Sequence, residues 1–513
     1  MKNKRGIYIL MAIIGIIYGI ISFLLESAQW FQATWDDISF ATVVYQLRTP
    51  LQGTNKGIIV DFCVTVIPRT LIKTLIVVMI YHFISIFFEK CFFKIRVNIF
   101  SKTLFINVRK KSKIILKSVF FVCLVFSSVN ALSQKVRELG ITAYINSVKQ
   151  SSSIFESSYV EPDLVNIKFP ENKRNLIFIY LESMETTYAS IEDGGAKGEN
   201  YIPELTKLAQ EYVSISNTEK MGGIYPCALT GWTIAALLGS TSGVPYKIPG
   251  DGNSADRYAE FLPGLTTLGD ILNQNGYKNY FMCGSDAVFG GRKIYFESHG
   301  NYEIIDYNFA VEKGLIPKDY YEFWGYEDEK LFEFAKQELM EIATNNENFN
   351  FTMLTVDTHH NNGYVCRLCE DNYEEQYANV IACSSKQIYN FVKWIQAQEW
   401  YENTTIVLLG DHNSMTSGFW DDIGDYTRRT YNCFINLPDT VDISNVKNRE
   451  CTTLDIFPTT LAAIGADIEG DRLALGTNIF SNQKTLSEEL GIELLNEELS
   501  KYSKYYNEKF VGK

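Results

Sequence analysis

The chain has no excess of positive charge. Its 47 Lys and Arg are outnumbered by 60 Asp and Glu, for a net charge of −13 over 513 residues. That balance excludes a general nucleic-acid binder. Ten cysteines are too few for a disulfide scaffold of this length, and they do not form a paired zinc module. A small-residue cleavage pattern is missing after the first apolar run, which is long and reads as an anchor rather than a cleavable signal. Histidine is scarce, with five in all. Three of these, His359, His360 and His412, fall just after apolar runs, so their placement carries weight. What is plentiful is aromatic, with 33 Phe and 31 Tyr. The length implies two or more units.

Residues 1–133 read as a membrane region. Residues 7–25 form an uncharged apolar run long enough to cross a bilayer as a helix. Lys2, Lys4 and Arg5 precede it and place the N-terminus inside. Further spans are expected at 71–88 and 114–132, with Lys117 snorkelling from the latter. The basic segment Lys90–Lys113 between them is then cytoplasmic by the positive-inside rule. Three spans starting inside put the remainder outside, at the cell membrane. Residues 57–67 are apolar but short and carry Asp61, and are read as a re-entrant or interfacial segment. Residues 134–170 read as a juxtamembrane linker, 171–482 as a catalytic domain, and 483–513 as a helical tail.

Within the large domain, Asn175–Leu181 is a continuous apolar run of strand length, ending in Glu182. Residues 350–356 repeat the design and run into Asp357-Thr-His-His360. Residues 404–409 do so again, into Gly410-Asp411-His412. Such runs mark strands buried on both faces. Helical patterns lie between them at 203–212, 265–275, 328–342 and 384–398. The alternation predicts an α/β fold, a doubly wound and mostly parallel sheet that binds ligands beyond the carboxyl ends of its strands. Glu182, His359 and the Asp411-His412 pair thereby reach one edge, and Glu, Asp and His with a hydroxyl suit a hard or borderline divalent ion.

Residues 221–226 are turn chemistry, and Ile234–Leu238 is helix-forming. Thr230 and Thr233 stand where that helix begins. A hydroxyl there meets free backbone N–H groups and the positive end of the helix dipole, which suits a phosphate. A plain N-cap is the structural alternative.

Asn175–Glu185, Thr230–Ala235, Leu354–His360 and Gly410–His412 together resemble the phosphoglycerol transferase I and lipoteichoic acid synthase group of the alkaline phosphatase/sulfatase superfamily. The likeness extends to residues 276–280, 289–292, 298–300 and 324–328, and more weakly to 44–53. It departs at the end, where the long C-terminal region of the phosphoglycerol transferase I enzymes has no counterpart after residue 480. The resemblance implies Thr230 as nucleophile and metal ligand. Glu182, Asp411 and His412 would be the other ligands, Mn²⁺ the expected ion, and Zn²⁺ or Mg²⁺ the alternatives. Arg292 and His359 would contact the phosphoglycerol group, while Trp324 and Asp328 are read as packing. The implied donor is phosphatidylglycerol. The implied acceptor is an extracytoplasmic glycan, glycolipid or polymer, and no nucleic acid is involved.

A sulfatase would build its nucleophile from Cys or Ser with Pro two and Arg four positions later. Cys227 is followed by Leu229 and Gly231, so that pattern fails. A phosphoethanolamine transferase, differing in headgroup, and a non-catalytic binding module are the remaining alternatives. Cys366, Cys369 and Cys383 cluster after His359. A Cys369–Cys383 loop staple is expected, with Cys366 left over.

Overall fold

The computed structural model describes residues 2–35, 40–48, 56–90, 94–99, 102–107, 110–247, 261–345, 347–416 and 418–511. Residues 49–53 of the weakly similar stretch lie outside these. The chain divides into two compact units, one of residues 1–38 with 55–142 and one of residues 39–54 with 143–513.

The first unit is built from three long apolar helices, α1 (Lys2–Thr34), α2 (Lys56–Lys90) and α3 (Lys110–Glu138). Gly6–Thr34, Gly57–Ser85 and Ile115–Glu138 are each long and apolar enough to cross a membrane. The expected first and third spans fall inside α1 and α3. The expected second span, 71–88, falls inside α2; residues 57–67 are corrected, being not a separate interfacial segment but the first turns of α2, which continues through Pro68. The physical reason is that Asp61 has a partner. Trp30 Nε1 on α1 donates to its carboxylate at 2.7 Å, so the charge does not end the helix. Lys73 is likewise paired, with the buried Glu26. Lys117 sits over the Tyr81 ring, 4.7 Å from its centroid. The basic segment pairs Lys94–Ile99 antiparallel with Lys102–Asn107.

The second unit is organised by a six-stranded sheet. Its strands are β1 (Asn175–Leu181), β2 (Lys278–Cys283), β3 (Glu303–Ile305), β4 (Phe349–Leu354), β5 (Thr404–Gly410) and β6 (Asn432–Ile435). They lie in the order β3-β2-β4-β1-β5-β6. All neighbours are parallel except β5 and β6. Successive side chains of a strand face opposite ways. Leu176, Phe178 and Tyr180 of β1 join one core, Ile177, Ile179 and Leu181 the other. Helices α4 (Pro203–Glu211), α5 (Thr233–Ser242), α6 (Leu268–Gln274), α7 (Arg292–Ser298), α8 (Asp328–Ala343), α9 (Gln376–Gln396) and α10 (Ile456–Ala463) cover the two faces. Leu237, Leu272 and Leu461 place α5, α6 and α10 on the first face. Leu208, Leu339 and Phe391 place α4, α8 and α9 on the second. Both faces of the central strands are therefore dry, which is why they read as unbroken apolar runs.

Two expected boundaries shift. Ile154 and Phe155, from the segment read as linker, are buried in the first core together with Leu495, Leu499, Tyr506 and Phe510 of the tail. Ser152 N–H donates to the Tyr502 carbonyl at 2.9 Å. Both segments are integral to the domain, because the aromatic residues of one cover those of the other: the Phe155 and Phe510 rings lie 5.9 Å apart.

Candidate active site

β1 and β5 are parallel neighbours with Leu181 opposite Gly410, so the residues that follow each strand emerge side by side. Asp411 N–H still bonds the Leu181 carbonyl at 3.2 Å. Glu182, Asp411 and His412 are all buried, and one ligand atom from each lies within 4.8 Å of the others. His412 Nε2 is 3.6 Å from Glu182 Oε1 and 3.4 Å from Asp411 Oδ2. The surroundings fix each side chain. Asp411 Oδ1 accepts from the amides of Ser183 and His412, each at 2.8 Å. Glu182 Oε1 accepts from Ser183 Oγ at 2.7 Å. His412 Nδ1 must donate to the Asn413 carbonyl 2.8 Å away, because a carbonyl can only accept. In the neutral ring Nε2 then carries the lone pair that a metal takes.

The arrangement fits a divalent cation. Asp411 Oδ2 is buried and accepts no hydrogen bond. Burial and the neighbouring Glu182 charge push the Asp411 carboxyl up to about 7. Burial would raise Glu182 as well, but His359 and His412 outweigh it and hold that carboxyl below its usual value. The same carboxylates raise His412, against the burial that would lower it. Crowding two carboxylates into a dry site costs several kcal/mol per ion unless a cation offsets them.

The structure does not bring the Thr230 hydroxyl to this cluster. Thr230 is fully buried and faces elsewhere. Its hydroxyl donates to the Cys227 carbonyl at 2.7 Å and lies 3.3 Å from Thr453 Oγ1, closing the turn ahead of α5. Thr233, the first residue of α5, stands at the cluster instead. Its hydroxyl is 3.4 Å from Glu182 Oε2 and 3.4 Å from His412 Nε2, and the residue is only half-buried. Trp232 is the extended residue before the helix, so Thr233 opens the helix, in the turn whose backbone amides have no partner within it.

His359 is half-buried on the loop after β4, and its Nδ1 donates to the His360 carbonyl at 2.9 Å. Burial lowers its pKa, while the Glu182 charge works the other way. Trp324 packs on it with ring centroids 4.8 Å apart. Arg292 opens α7 after the left-handed Gly291. It is buried, and its guanidinium donates to the carbonyls of Phe289 and Asp286 at 3.0 and 2.9 Å. Its charge acts on His359. Glu297, which would have made Arg292 an ordinary surface partner, pairs with Lys293. Asp328 was read as packing and does more. Its carboxylate accepts from the amides of Val356 and Asp357 at 2.8 and 3.0 Å, and its own amide donates to Asp357 at 3.1 Å. That double latch fixes the backbone from which His359 departs.

A parallel-dominated sheet that delivers a carboxylate and an Asp-His pair beside a helix-initiating threonine defines the alkaline phosphatase/sulfatase class of fold. In agreement, the sulfatase family model matches residues 174–466. That is more than half of the chain, which therefore belongs to this family. Phosphoglycerol transferase I of Escherichia coli is 30% identical over 338 residues, covering 64% of this chain and 41% of that protein. Phosphoglycerol transferase I of Escherichia fergusonii is 31% identical over 323 residues, with 61% and 40% covered. The chain thus spans less than half the length of these relatives. In fold it is similar to the integral membrane protein lipooligosaccharide phosphoethanolamine transferase A of Neisseria meningitidis. That match has a TM-score of 0.50 at 12% identity and covers 88% of this chain and 84% of that one.

Proposed function

We propose that this chain is a membrane-anchored phosphoglycerol transferase. It moves the phosphoglycerol headgroup of phosphatidylglycerol, by way of a covalent phosphothreonine-type intermediate on Thr233, to an extracytoplasmic glycan or glycolipid hydroxyl. The observation that carries this reading is the Thr233 hydroxyl, 3.4 Å from both Glu182 and His412 at the start of α5. The identity to phosphoglycerol transferase I supports the headgroup.

Glu182, Asp411, His412 and the Thr233 hydroxyl would hold one divalent ion, with Mn²⁺ the foremost candidate. When bound, such an ion lowers the pKa of a coordinated hydroxyl and offsets charge on phosphoryl oxygens. The residues of the chain do the rest. Thr233 Oγ forms the bond to phosphorus, and the bond from phosphorus to the diacylglycerol oxygen breaks. Diacylglycerol leaves with a proton. The free amides at the start of α5 receive the phosphoryl oxygens. An acceptor hydroxyl then attacks the phosphorus, and Thr233 recovers its proton. Arg292 supplies forked donors to the phosphate. His359, whose Nδ1 is already committed, offers Nε2 to a glycerol or acceptor hydroxyl.

The test is to incubate the full-length protein in detergent with phosphatidylglycerol labelled in the headgroup, and with phosphatidylethanolamine in parallel. Released diacylglycerol, with the label found on the Thr233 peptide after quenching, is the expected result. Preferred turnover of phosphatidylethanolamine would reassign the donor. Release of the label to water alone would make the protein a hydrolase. Turnover of neither lipid by metal-loaded protein would overturn the reading.

A further inference from the structure

Outside the candidate active site, three sulfur atoms meet where none was expected to need the other two. Cys366 and Cys369 lie on the loop between β4 and α9, and Cys383 lies on α9 itself. Cys366 Sγ is 3.7 Å from Cys369 Sγ and 3.7 Å from Cys383 Sγ, and the three fall within 4.8 Å of one another. A disulfide needs about 2.05 Å and would leave one sulfur odd. Thiolates about 2.3 Å from a tetrahedral ion stand roughly 3.8 Å apart, close to the spacing of the two pairs that Cys366 makes.

The local backbone is shaped for a thiolate ligand. Cys369 N–H closes a tight turn onto the Cys366 carbonyl at 3.1 Å. From α9, Gln387 Nε2 lies 3.5 Å from Cys383 Sγ and 3.8 Å from Cys366 Sγ. Donors of this kind orient ligands around an ion. Cys366 and Cys383 are buried, while Cys369 is half-exposed, which leaves a fourth position to water.

We propose that Cys366, Cys369 and Cys383 form a three-thiolate site for a thiophilic divalent ion of the zinc class, which pins the loop bearing His359 to α9. This replaces the expected Cys369–Cys383 staple, because Cys366 is the hub rather than the spare. The mechanical consequence is local. Tyr364 of the same loop stacks on Phe323 at 6.0 Å, and Phe323 packs edge-on against His359 at 6.3 Å. Fixing the loop at its thiols therefore fixes the ring that faces the candidate active site.

Cobalt provides the probe, because only thiolate ligands give a near-ultraviolet sulfur-to-cobalt charge-transfer absorption. Glu182, Asp411 and His412 contain no sulfur and do not contribute to that signal. Full-length protein, reduced in detergent and loaded with Co²⁺, should show the absorption and lose it to one equivalent of Zn²⁺. Glu182→Gln should keep it. Cys366→Ser should lose it, and so should Cys369→Ser, whose half-exposed position spares the fold. In a Glu182→Gln background, which removes the other divalent-ion group, zinc should raise the Tm when all three thiols are present and not when Cys369→Ser is added. Absence of the absorption in protein with all three thiols reduced would overturn the proposal. So would a disulfide joining any two of the three in protein isolated without reductant.

Discussion

Exchanging the roles of two threonines only three residues apart makes a sharp experiment. Thr230→Ala removes a hydroxyl bonded to the Cys227 carbonyl and a methyl group that fills space beside Gly239. One lost hydrogen bond costs about 1 kcal/mol and one lost buried methyl about as much, so the fold should lose about 2 kcal/mol. That is a Tm lower by a few degrees, with headgroup turnover and metal content close to those of the parent. Thr233→Val keeps the shape of the side chain and deletes its hydroxyl. Little stability should change, because Thr233 is half-buried and its contacts are long. Turnover should fall by on the order of 10⁴- to 10⁶-fold, the range for removing a member of a covalent catalytic unit. Thr233→Ser should restore a measurable part of it. The assay is diacylglycerol release from phosphatidylglycerol by full-length protein in detergent, with metal content and Tm recorded for every variant. A folded, metal-loaded Thr230→Ala chain that is inactive, beside an active Thr233→Val chain, would refute the assignment drawn from the geometry.

Chelation should abolish turnover, and added divalent ion should restore it, Mn²⁺ more fully than Mg²⁺. Asp411→Asn should resist that rescue, which metal analysis and turnover together would check. Arg292→Ala should retain metal yet lower turnover by roughly 10- to 100-fold, the scale of a lost charged hydrogen bond. Near-normal turnover would return Arg292 to a purely structural role on the Asp286 and Phe289 carbonyls. Protease added to wall-stripped cells should cut the 143–513 unit and spare the basic segment Lys90–Lys113. The reverse pattern would invert the orientation read from charge.

The fold was legible because its strands are buried on both faces. A strand such as Asn175–Leu181 has no solvated side to alternate with, so a continuous apolar run of that length has few other meanings. Residues 57–67 were misplaced for the opposite reason. Asp61 looks prohibitive within a span when only neighbouring residues are considered, and its partner Trp30 stands on another helix. The linker and the tail were separated for the same reason. Phe155 and Phe510 are far apart in the chain, and each alone is just an aromatic residue in a polar stretch.

At the site, the meeting of Glu182, Asp411 and His412 was legible because strand ends in a parallel sheet converge on one edge. Register then does the remaining work, placing Leu181 against Gly410. Which threonine hydroxyl turns toward the cluster was not legible, because the approach to the helix offers two of them, three residues apart. Leu229 takes a left-handed backbone with φ of 65°, and this turns Thr230 back onto Cys227. Trp232 is extended, and that sets Thr233 as the residue that opens the helix. Neither conformation is announced by residue type, since leucine and tryptophan are not residues that ordinarily mark such turns. The cysteine cluster was obscured in a related way. Two of its members share a Cys-x-x-Cys turn, which can be read in sequence, while the third sits on a helix whose phase matters only once α9 has packed against the loop. What sequence cannot carry at this site is therefore direction: which way each side chain turns after the backbone has brought it to the right edge.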